Sequence, residues 1–496
     1  MTNNELDSFL GEYNDLLSIA SSEHNGEFAA MASPTLNKQE TITFLFMEVV
    51  TYLDNSNSFA RRKSQWSVLL MFAVRIVYFF LNLVVNSIRF HVNSIPENCV
   101  YVRTWLVPRS IKDGKVRDDY FAELIDDLKQ KQPVVVGLHP LTFGKLLTTF
   151  KRINKEENYI IPIGLLNIKD IFSLVVEYVS SAKIQLNQKY YFKGKEISFL
   201  INNSLKKDYY NFRSFQAYID LYIARKIKQY DPKYIIYVFE NQSWENAYLT
   251  TFKGSRTKTI GYQSSGFSFR FLNFFPGKLD AKYALFPDKI FTVGDLYSKL
   301  LKKHGNYPMP IKTFAALRFN YTVINGEYEI ESTESKIFQR ILYAFPVHYY
   351  QYSRIIQDLI DVFGDSEIEV HLKFHPLFNI QINSLRLPNN FVLWASNRDK
   401  SLRELYDFVL FNDNSFGIES LIQGVKSYEY EFGELYPESR FIDFNCYDSL
   451  MKKHDLYTLK EELLTYAFEK KIDIKDVKNY INKCYKPYSK DLIKLI

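Results

Sequence analysis

The sequence predicts an α/β chain of two Rossmann-like domains facing a cleft. Three observations carry that reading. At 496 residues the chain exceeds what a single hydrophobic core organises, so two domains are expected. From Cys99 onward short apolar runs alternate with amphipathic helical periods, the signature of a parallel sheet with crossover helices. A polar, turn-rich stretch at 324–335 (INGEYEIESTES) interrupts the alternation, which then starts again at 340.

In chain order, VYVRTWLV (100–107) reads as a strand and DDYFAELIDDLKQK (118–131) as an amphipathic helix. PVVVGL (133–138) is a buried strand, with a helix at about 142–153 after it. YIIPIGLL (159–166) reads as a strand and 168–181 as a helix. A long helix (214–229) leads to KYIIYVFE (233–240), a helix at 243–252, KTIGYQ (258–263), KIFTVG (289–294) and a helix through Lys303. The second series runs through RILYAFPV (340–347), a helix at 352–363, EIEVHLKF (367–374), NFVLWA (390–395), DFVLF (407–411) and a helix at 416–423. The expected division is therefore a helical region at 1–98, a first Rossmann-like domain at 99–325 and a second at 336–457. Helices in 458–496 are long enough to pack back on the first half.

A net charge of +6 is mild for this size and does not mark a nucleic-acid binder. Cys99, Cys446 and Cys484 make neither a disulfide framework nor a zinc pattern, which favours a reducing compartment. Residues 1–30 are mostly polar and acidic, unlike a cleavable signal peptide, so a cytoplasmic location is expected. One stretch challenges that reading: SVLLMFAVRIVYFFLNLVV (67–85), preceded by Arg61, Arg62 and Lys63. Its Leu, Ile, Phe and Val residues, at about −0.3 to −0.6 kcal/mol each, outweigh Arg75 at about +3 kcal/mol, so energy alone permits insertion. The basic flank would then send the rest of the chain outside, away from cytosolic nucleotides. A buried or domain-covering helix is the first reading, and peripheral contact with the inner membrane leaflet is the second.

Three constellations carry chemistry. Gly137 to Lys145 fails as a P-loop, because six residues separate its glycines and Leu146 stands where a Ser or Thr belongs. His139 there either faces the cleft or belongs to a structural turn, the turn being the first reading. His371 and His375 lie about 13 Å apart along a strand, too far to share a metal ion, so no metal site is expected. His375, at the end of VHLKFHP with Lys373 two residues before it, is instead a phosphate or leaving-group donor, or else a satisfied histidine in a turn. In NDNSFGIESLIQG (412–424), Asn414 or Ser415 is a natural helix cap, which accounts for both without any function. Glu419 exceeds that account, since a carboxylate there can accept two ribose hydroxyls while the helix N-terminus holds a phosphate. The third constellation is FENQSWE (239–245) with IGYQSSGF (260–267), each following a strand. Glu240 suits a general base or nucleophile, with Glu245 as a lesser candidate. Gln263 and Ser264 share their rim, and Trp244 is either core or a sugar-stacking platform.

HLKFHP followed by NDNSFGIES…G is similar to the HP and Ser motifs of GT-B glycosyltransferases that use CMP-activated acidic sugars, including bacterial sialyltransferases and Kdo transferases. FENQSWE…IGYQSS and PDKIFTVGDLYSKLLKKHG…AALRF resemble other motifs of that group, so the likeness covers roughly 230–430. The resemblance implies donor binding by Lys373, His375, Asn414, Ser415, Phe416, Gly417 and Glu419. It implies catalysis by Glu240 and His375 with Glu245, and an acceptor side formed by Trp244, Gln263, Ser264 and Ser265. Such enzymes use the CMP-sugar as co-substrate and need neither cofactor nor metal, and their acceptors are glycan or glycolipid precursors of lipopolysaccharide or capsule. The sequence departs from the pattern after IGYQ, where Ser264 and Ser265 stand in place of an expected histidine, which leaves the general acid open. Two rivals remain: a CDP-glycerol or CDP-ribitol phosphotransferase, and a non-catalytic glycan assembly protein of the same fold.

Overall fold

The computed structural model describes residues 3–24, 26–39, 45–53, 65–106, 111–112, 115–116, 118–140, 158–269, 271–318, 339–346, 352–375, 386–394, 402–412, 414–431, 450–465 and 474–496. Two parallel sheets organise it. The first contains β1 (Val100–Leu106), β2 (Val134–Pro140), β3 (Tyr159–Ile160), β4 (Tyr234–Val238), β5 (Lys258–Gln263), β6 (Lys289–Thr292) and β7 (Ile311–Thr313), in the order β7-β6-β5-β4-β1-β2-β3. The second contains β8 (Arg340–Ala344), β9 (Glu369–Lys373), β10 (Phe391–Leu393), β11 (Phe408–Phe411), β12 (Lys426–Glu431) and β13 (Leu450–Lys452), in the order β10-β9-β8-β11-β12-β13. Counted from each sheet's own first strand, both follow the doubly wound 3-2-1-4-5-6 order, and the first adds a seventh strand. The winding reverses between β1 and β4 in one sheet and between β8 and β11 in the other, and such reversals are where α/β sheets open a crevice for ligands.

The strands form because their residues suit burial on both faces. β1 and β2 are buried at every position, as parallel strands covered by helices must be. In the second sheet Tyr343, Val370 and Leu410 pack under α12 (Tyr352–Phe363) and α15 (Lys453–Leu464), while Leu342 and Val409 pack on the other face with Leu402, Tyr406 and Val425. The remaining helices are α1 (Asn3–Ser22), α2 (Gly26–Ala32), α3 (Leu45–Leu53), α4 (Gln65–Arg89), α5 (Ala122–Lys129), α6 (Ile168–Ser181), α7 (Ser198–Tyr210), α8 (Phe215–Lys228), α9 (Ser243–Phe252), α10 (Asp280–Tyr283), α11 (Asp295–His304), α13 (Leu402–Leu405), α14 (Phe416–Ile422) and α16 (Ile474–Cys484). A reciprocal cap starts α6: the Asp170 N–H donates to Asn167 Oδ1, and the Asn167 N–H donates to Asp170 Oδ2, each at 2.9 Å.

By its contacts the chain divides into two compact units. One holds 2–264, 271–319 and 486–496, and the other holds 265–270 and 320–485. The helical region before residue 99 is thus part of the first unit and not a domain of its own. The expectation that the last helices return to the first half is corrected as well. α15 and α16 stay with the second sheet, and only 486–496 rejoins the first unit, where the Lys486 N–H donates to Val293 O and Tyr488 Oη donates to Asp127 Oδ2. The expected helix at 142–153 and the linker at 324–335 lie outside the described residues.

Two further expectations fail for physical reasons. The run 159–166 is strand only at Tyr159–Ile160 and continues as a 3₁₀ turn at Pro162–Leu165. Pro162 cannot donate to a ladder, and Gly164 lies so close to the chain leaving α4 that a Cβ would sit 1.8 Å from the Phe90 carbonyl oxygen. Of the first reading of α4, a buried or domain-covering helix, only the buried form fails. In its most apolar eighteen residues only 11% are buried, Phe72 and Leu83 facing inward while Leu70, Val77 and Leu81 are more than half exposed. Among the described residues it is the one helix long and apolar enough to cross a membrane.

Because the clash at position 164 is with backbone, it cannot be relieved by a rotamer change. Gly164→Ala is expected to cost about 1–3 kcal/mol, the range for overpacking, read as a lowered urea midpoint with an unchanged slope.

Candidate functional site

In the first unit the winding reverses between β1 and β4, and Glu240 follows the C-terminal end of β4. Beyond β4 the chain turns at Asn241, whose φ of 50° lies in the left-handed region that Asn tolerates better than most residues. Asn241 Nδ2 donates to Asn273 O at 2.6 Å, and Asn37 Nδ2 donates to Asn241 O at 2.7 Å. Gln39 accepts from both the N–H and the hydroxyl of Ser243 at the start of α9. The loop bearing Glu240 is therefore clamped from the N-terminal segment and from the chain around Asn273.

Glu240 is partly exposed, and Gln242 Nε2 donates to its Oε2 at 2.6 Å. Burial pushes the Glu240 carboxyl up to about 7, against the pull of the Arg103 and Arg318 guanidiniums. Glu245 has a different place. It is buried, and its Oε1 accepts the backbone N–H groups of Glu240 at 2.8 Å and Gln242 at 2.9 Å. Burial pushes its carboxyl well above the ordinary range, so a catalytic part for Glu245 gives way to bracing of the Glu240 turn. Trp244 is 3% exposed and is not a platform for sugars. Its indole N–H donates to Gln242 Oε1 at 2.9 Å, and its ring lies 3.3 Å from the Arg103 guanidinium. Gln263 and Ser264 are likewise buried, with Gln263 Oε1 accepting the Val293 N–H, so they brace strand ends and do not line a surface. Ser265 is partly exposed and falls in the second unit.

Beneath Glu240 lies a cluster that the motifs did not reveal. Arg103 is fully buried in β1, with its guanidinium between the rings of Trp105 (3.8 Å) and Trp244 and 3.4 Å from Asp220 of α8. Among the described residues its Nε and Nη1 meet no hydrogen-bond acceptor, so aromatic faces stand in for part of its solvation. Asp220 Oδ1 lies 3.0 Å from His139 Nδ1, and Tyr248 Oη donates to it at 3.2 Å. Burial drives the His139 pKa down, while Asp220 is held below the ordinary carboxylate range, burial opposed by His139 and Arg103. His139 is thus a buried strand residue and no part of a turn. The signal was present in the sequence: one arginine inside the apolar run VYVRTWLV, and one aspartate inside the apolar face of FQAYIDLYIA. A small recess opens beside the same loop, lined by Asn37, Lys38, Asn241, Asn273 and Asp280 among others, but Glu240 does not reach it.

In the second unit the structure does assemble several of the expected residues. Asn414 Nδ2 donates to Ala344 O (2.8 Å) and Phe345 O (3.2 Å), while its Oδ1 accepts the Phe416 N–H (2.9 Å). One side chain thus staples the end of β8 to the entry of α14 across the winding reversal. Ser415 Oγ donates to Glu419 Oε1 at 2.7 Å and does not cap the helix. Lys373 Nζ sits 4.3 Å from the Phe416 ring, which brings the end of β9 to the same helix entry. His375 follows two residues later, partly exposed. Gly417 is explained by packing, because a Cβ there would sit 2.2 Å from the Phe411 ring. His371 is turned to Glu369 (2.8 Å) and Tyr406 (3.0 Å). Among the described residues no three His, Cys, Asp or Glu side chains gather as a metal site would require.

No known family matches the sequence, and no curated protein matches it. Solved structures similar to the chain include UDP-N-acetylglucosamine 2-epimerase from Rickettsia bellii (9% identity, TM-score 0.47, 80% of this chain and 96% of that one). They also include the glycosyltransferase SnogD from Streptomyces nogalater (11%, 0.43, 81% and 99%) and MnaA of S. aureus with UDP (12%, 0.40, 79% and 92%). None of these names brings an activity to the present chain.

Two outcomes follow. Asn414→Ala, which removes one donor from two strand-end carbonyls and the acceptor of the Phe416 N–H, is expected to cost about 1–3 kcal/mol and to loosen amide protection at the end of β8, measured by hydrogen exchange. Glu240 has a raised carboxyl pKa, so its contribution to stability is fully present below about 4.5 and is lost as pH rises through about 7. Glu240→Gln carries no such loss. In urea unfolding its stability relative to the parent should therefore climb between pH 5 and pH 8, and a flat difference would refute the raised pKa.

Proposed function

We propose that the protein is a glycosyltransferase that moves a sugar from a nucleotide-sugar donor to a glycan or glycolipid precursor. The observation that carries this is Glu240: a partly exposed carboxyl at the C-terminal edge of a doubly wound sheet, beside its winding reversal, with a pKa near 7. A base tuned to the working pH is what an acceptor hydroxyl requires. The hydroxyl proton passes to the Glu240 carboxylate, the oxygen bonds to the anomeric carbon, and the bond from that carbon to the donor phosphate breaks. The nucleotide leaves with that electron pair. Activity rises with pH as Glu240 loses its proton through about 7.

In the second unit Lys373, Ser415 and Glu419 stand around the entry of α14 beside the other reversal, where a cation, a hydroxyl and a carboxylate suit a nucleoside phosphate. His375 adds a donor for the leaving phosphate. For the donor's identity we take a CMP-activated acidic sugar of the sialic, legionaminic or Kdo type, supported by the likeness of VHLKFHP and NDNSFGIES to the motifs of such enzymes.

A thermal-shift series with CMP, CDP, UDP and GDP tests the donor half. CMP should raise the melting temperature, and a response to UDP or GDP alone would sink the CMP assignment. Stabilisation by CDP together with a phosphodiester product would replace it with the phosphotransferase. Glu240→Gln should keep the nucleotide response while losing about 10²–10⁴-fold in transfer rate, the usual worth of a general base. Full transfer by that variant would show that the base lies elsewhere.

A further inference from the structure

Helices α4 and α6 lie against each other on the first unit, and their outer faces are apolar. Among the described residues twenty large apolar side chains are exposed, and nine of them lie on α4 and four on α6. The spacing is helical: Leu70, Val74, Val77 and Leu81 follow one stripe of α4, and Phe172 and Val176 follow one stripe of α6, each at least half exposed. Scattered exposed leucines are ordinary, but a continuous face of this kind marks an interaction surface.

Charge and docking identify the occupant. α4 contains no acid at all. Its one internal charge, Arg75, turns inward, donating to Asn211 Oδ1 at 3.1 Å and to Tyr210 O at 3.3 Å. The acids of α6 are also turned away, Asp170 to Lys226 and Glu177 to Arg225. Among the described residues Arg89 ends α4, Lys169 lies in the first turn of α6 and Lys183 follows that helix, and in the sequence Arg61, Arg62 and Lys63 precede α4. An apolar face with a cationic border is the pattern of a helix lying in the headgroup region of an anionic bilayer. A partner protein would call for acids to answer the cationic border, whereas the exposed groups among the apolar residues are neutral, such as Tyr78 and Ser173.

Spanning is opposed by the inner face. Phe72 and Leu83 are buried against the unit, Ser87 Oγ donates to Leu166 O at 2.7 Å, and Gly164 lets the chain leaving α4 touch the 3₁₀ turn. Helix α4 is thus tied to its unit at Phe72, Leu83 and Ser87, which favours lying on a bilayer over crossing it. We propose that the outer face of α4 and α6 is a monotopic docking surface for an anionic phospholipid bilayer. It depends on exposure and charge and stands apart from the transferase reading, which a nucleotide response tests separately.

The test is sedimentation of the full chain with vesicles of phosphatidylcholine alone or mixed with phosphatidylglycerol. Binding should be at least tenfold stronger to the mixed vesicles and should fall at least tenfold in the triple variant Leu70→Glu, Val77→Glu, Phe172→Glu. Failure to bind either vesicle would overturn the proposal. So would a discrete dimer, seen by light scattering, that the triple variant converts to monomer without any lipid effect. Resistance of membrane-bound protein to alkaline carbonate extraction would replace docking with a span. Should the triple variant not fold, Tyr78→Trp in the otherwise unaltered chain gives an independent readout. Brominated lipid should quench its fluorescence, and unchanged emission would count against the surface.

Discussion

The buried guanidinium of Arg103 is the constraint on which the first unit turns. A charge inside a sheet costs several kcal/mol unless it is paired and its donors are met. Here one carboxylate, Asp220, comes from α8, and two indoles come from β1 itself and from α9. Meeting that charge therefore fixes β1, α8 and α9 relative to one another. Asp220 in turn holds His139 of β2 and Tyr248 of α9, so four elements close on one ion pair. The same cation reaches Glu240 electrostatically and moderates what burial alone would do to its carboxyl.

That arrangement separates two jobs that adjacent residues could share. Glu245 is spent on the turn, its carboxyl accepting two backbone N–H groups. Glu240, held by Gln242, keeps part of its carboxyl toward solvent. Gln242 links the two tasks, accepting from the Trp244 indole and donating to Glu240. In the second unit Asn414 plays the corresponding part with no charge involved. Its amide satisfies two strand-end carbonyls and the first free N–H of α14, leaving Ser415 and Glu419 to each other.

Much of the fold was legible because its signals are local. The period of 243–252, the apolar run 258–263 and the amphipathic face of 352–363 end where Gly, Pro or polar clusters end them, and the structure places α9, β5 and α12 at those bounds. Helix-length periodicity likewise located α6, with Asn167 and Asp170 as its reciprocal cap. At 159–166 the apolar character was right and the conformation wrong, since Pro162 and the close approach at Gly164 both act against a ladder. The candidate site was legible in outline. Glu240, Lys373 and Ser415 stand at strand ends or helix entries, as their positions after apolar runs imply, whereas Trp244, Gln263 and Ser264 are interior. An aromatic or amide beside a strand end can face either way, and only its neighbours decide.

By itself the sequence determined that the chain is α/β, that it carries two series of parallel strands, and which polar residues follow those strands. These are consequences of periodicity, turn chemistry and strand-end position, all of which act within a few residues. Tertiary structure alone decided that Arg103, Asp220, His139 and Tyr248 meet, because their partners lie 28 to 117 residues apart along the chain. It alone decided that Glu245 is a brace and Glu240 partly open, a difference of burial between two carboxylates five residues apart. It alone decided, too, that the one helix among the described residues long and apolar enough to cross a membrane lies on the outside. Hydropathy measures a segment's preference for leaving water, and it is the surrounding fold that settles whether protein is there to receive it.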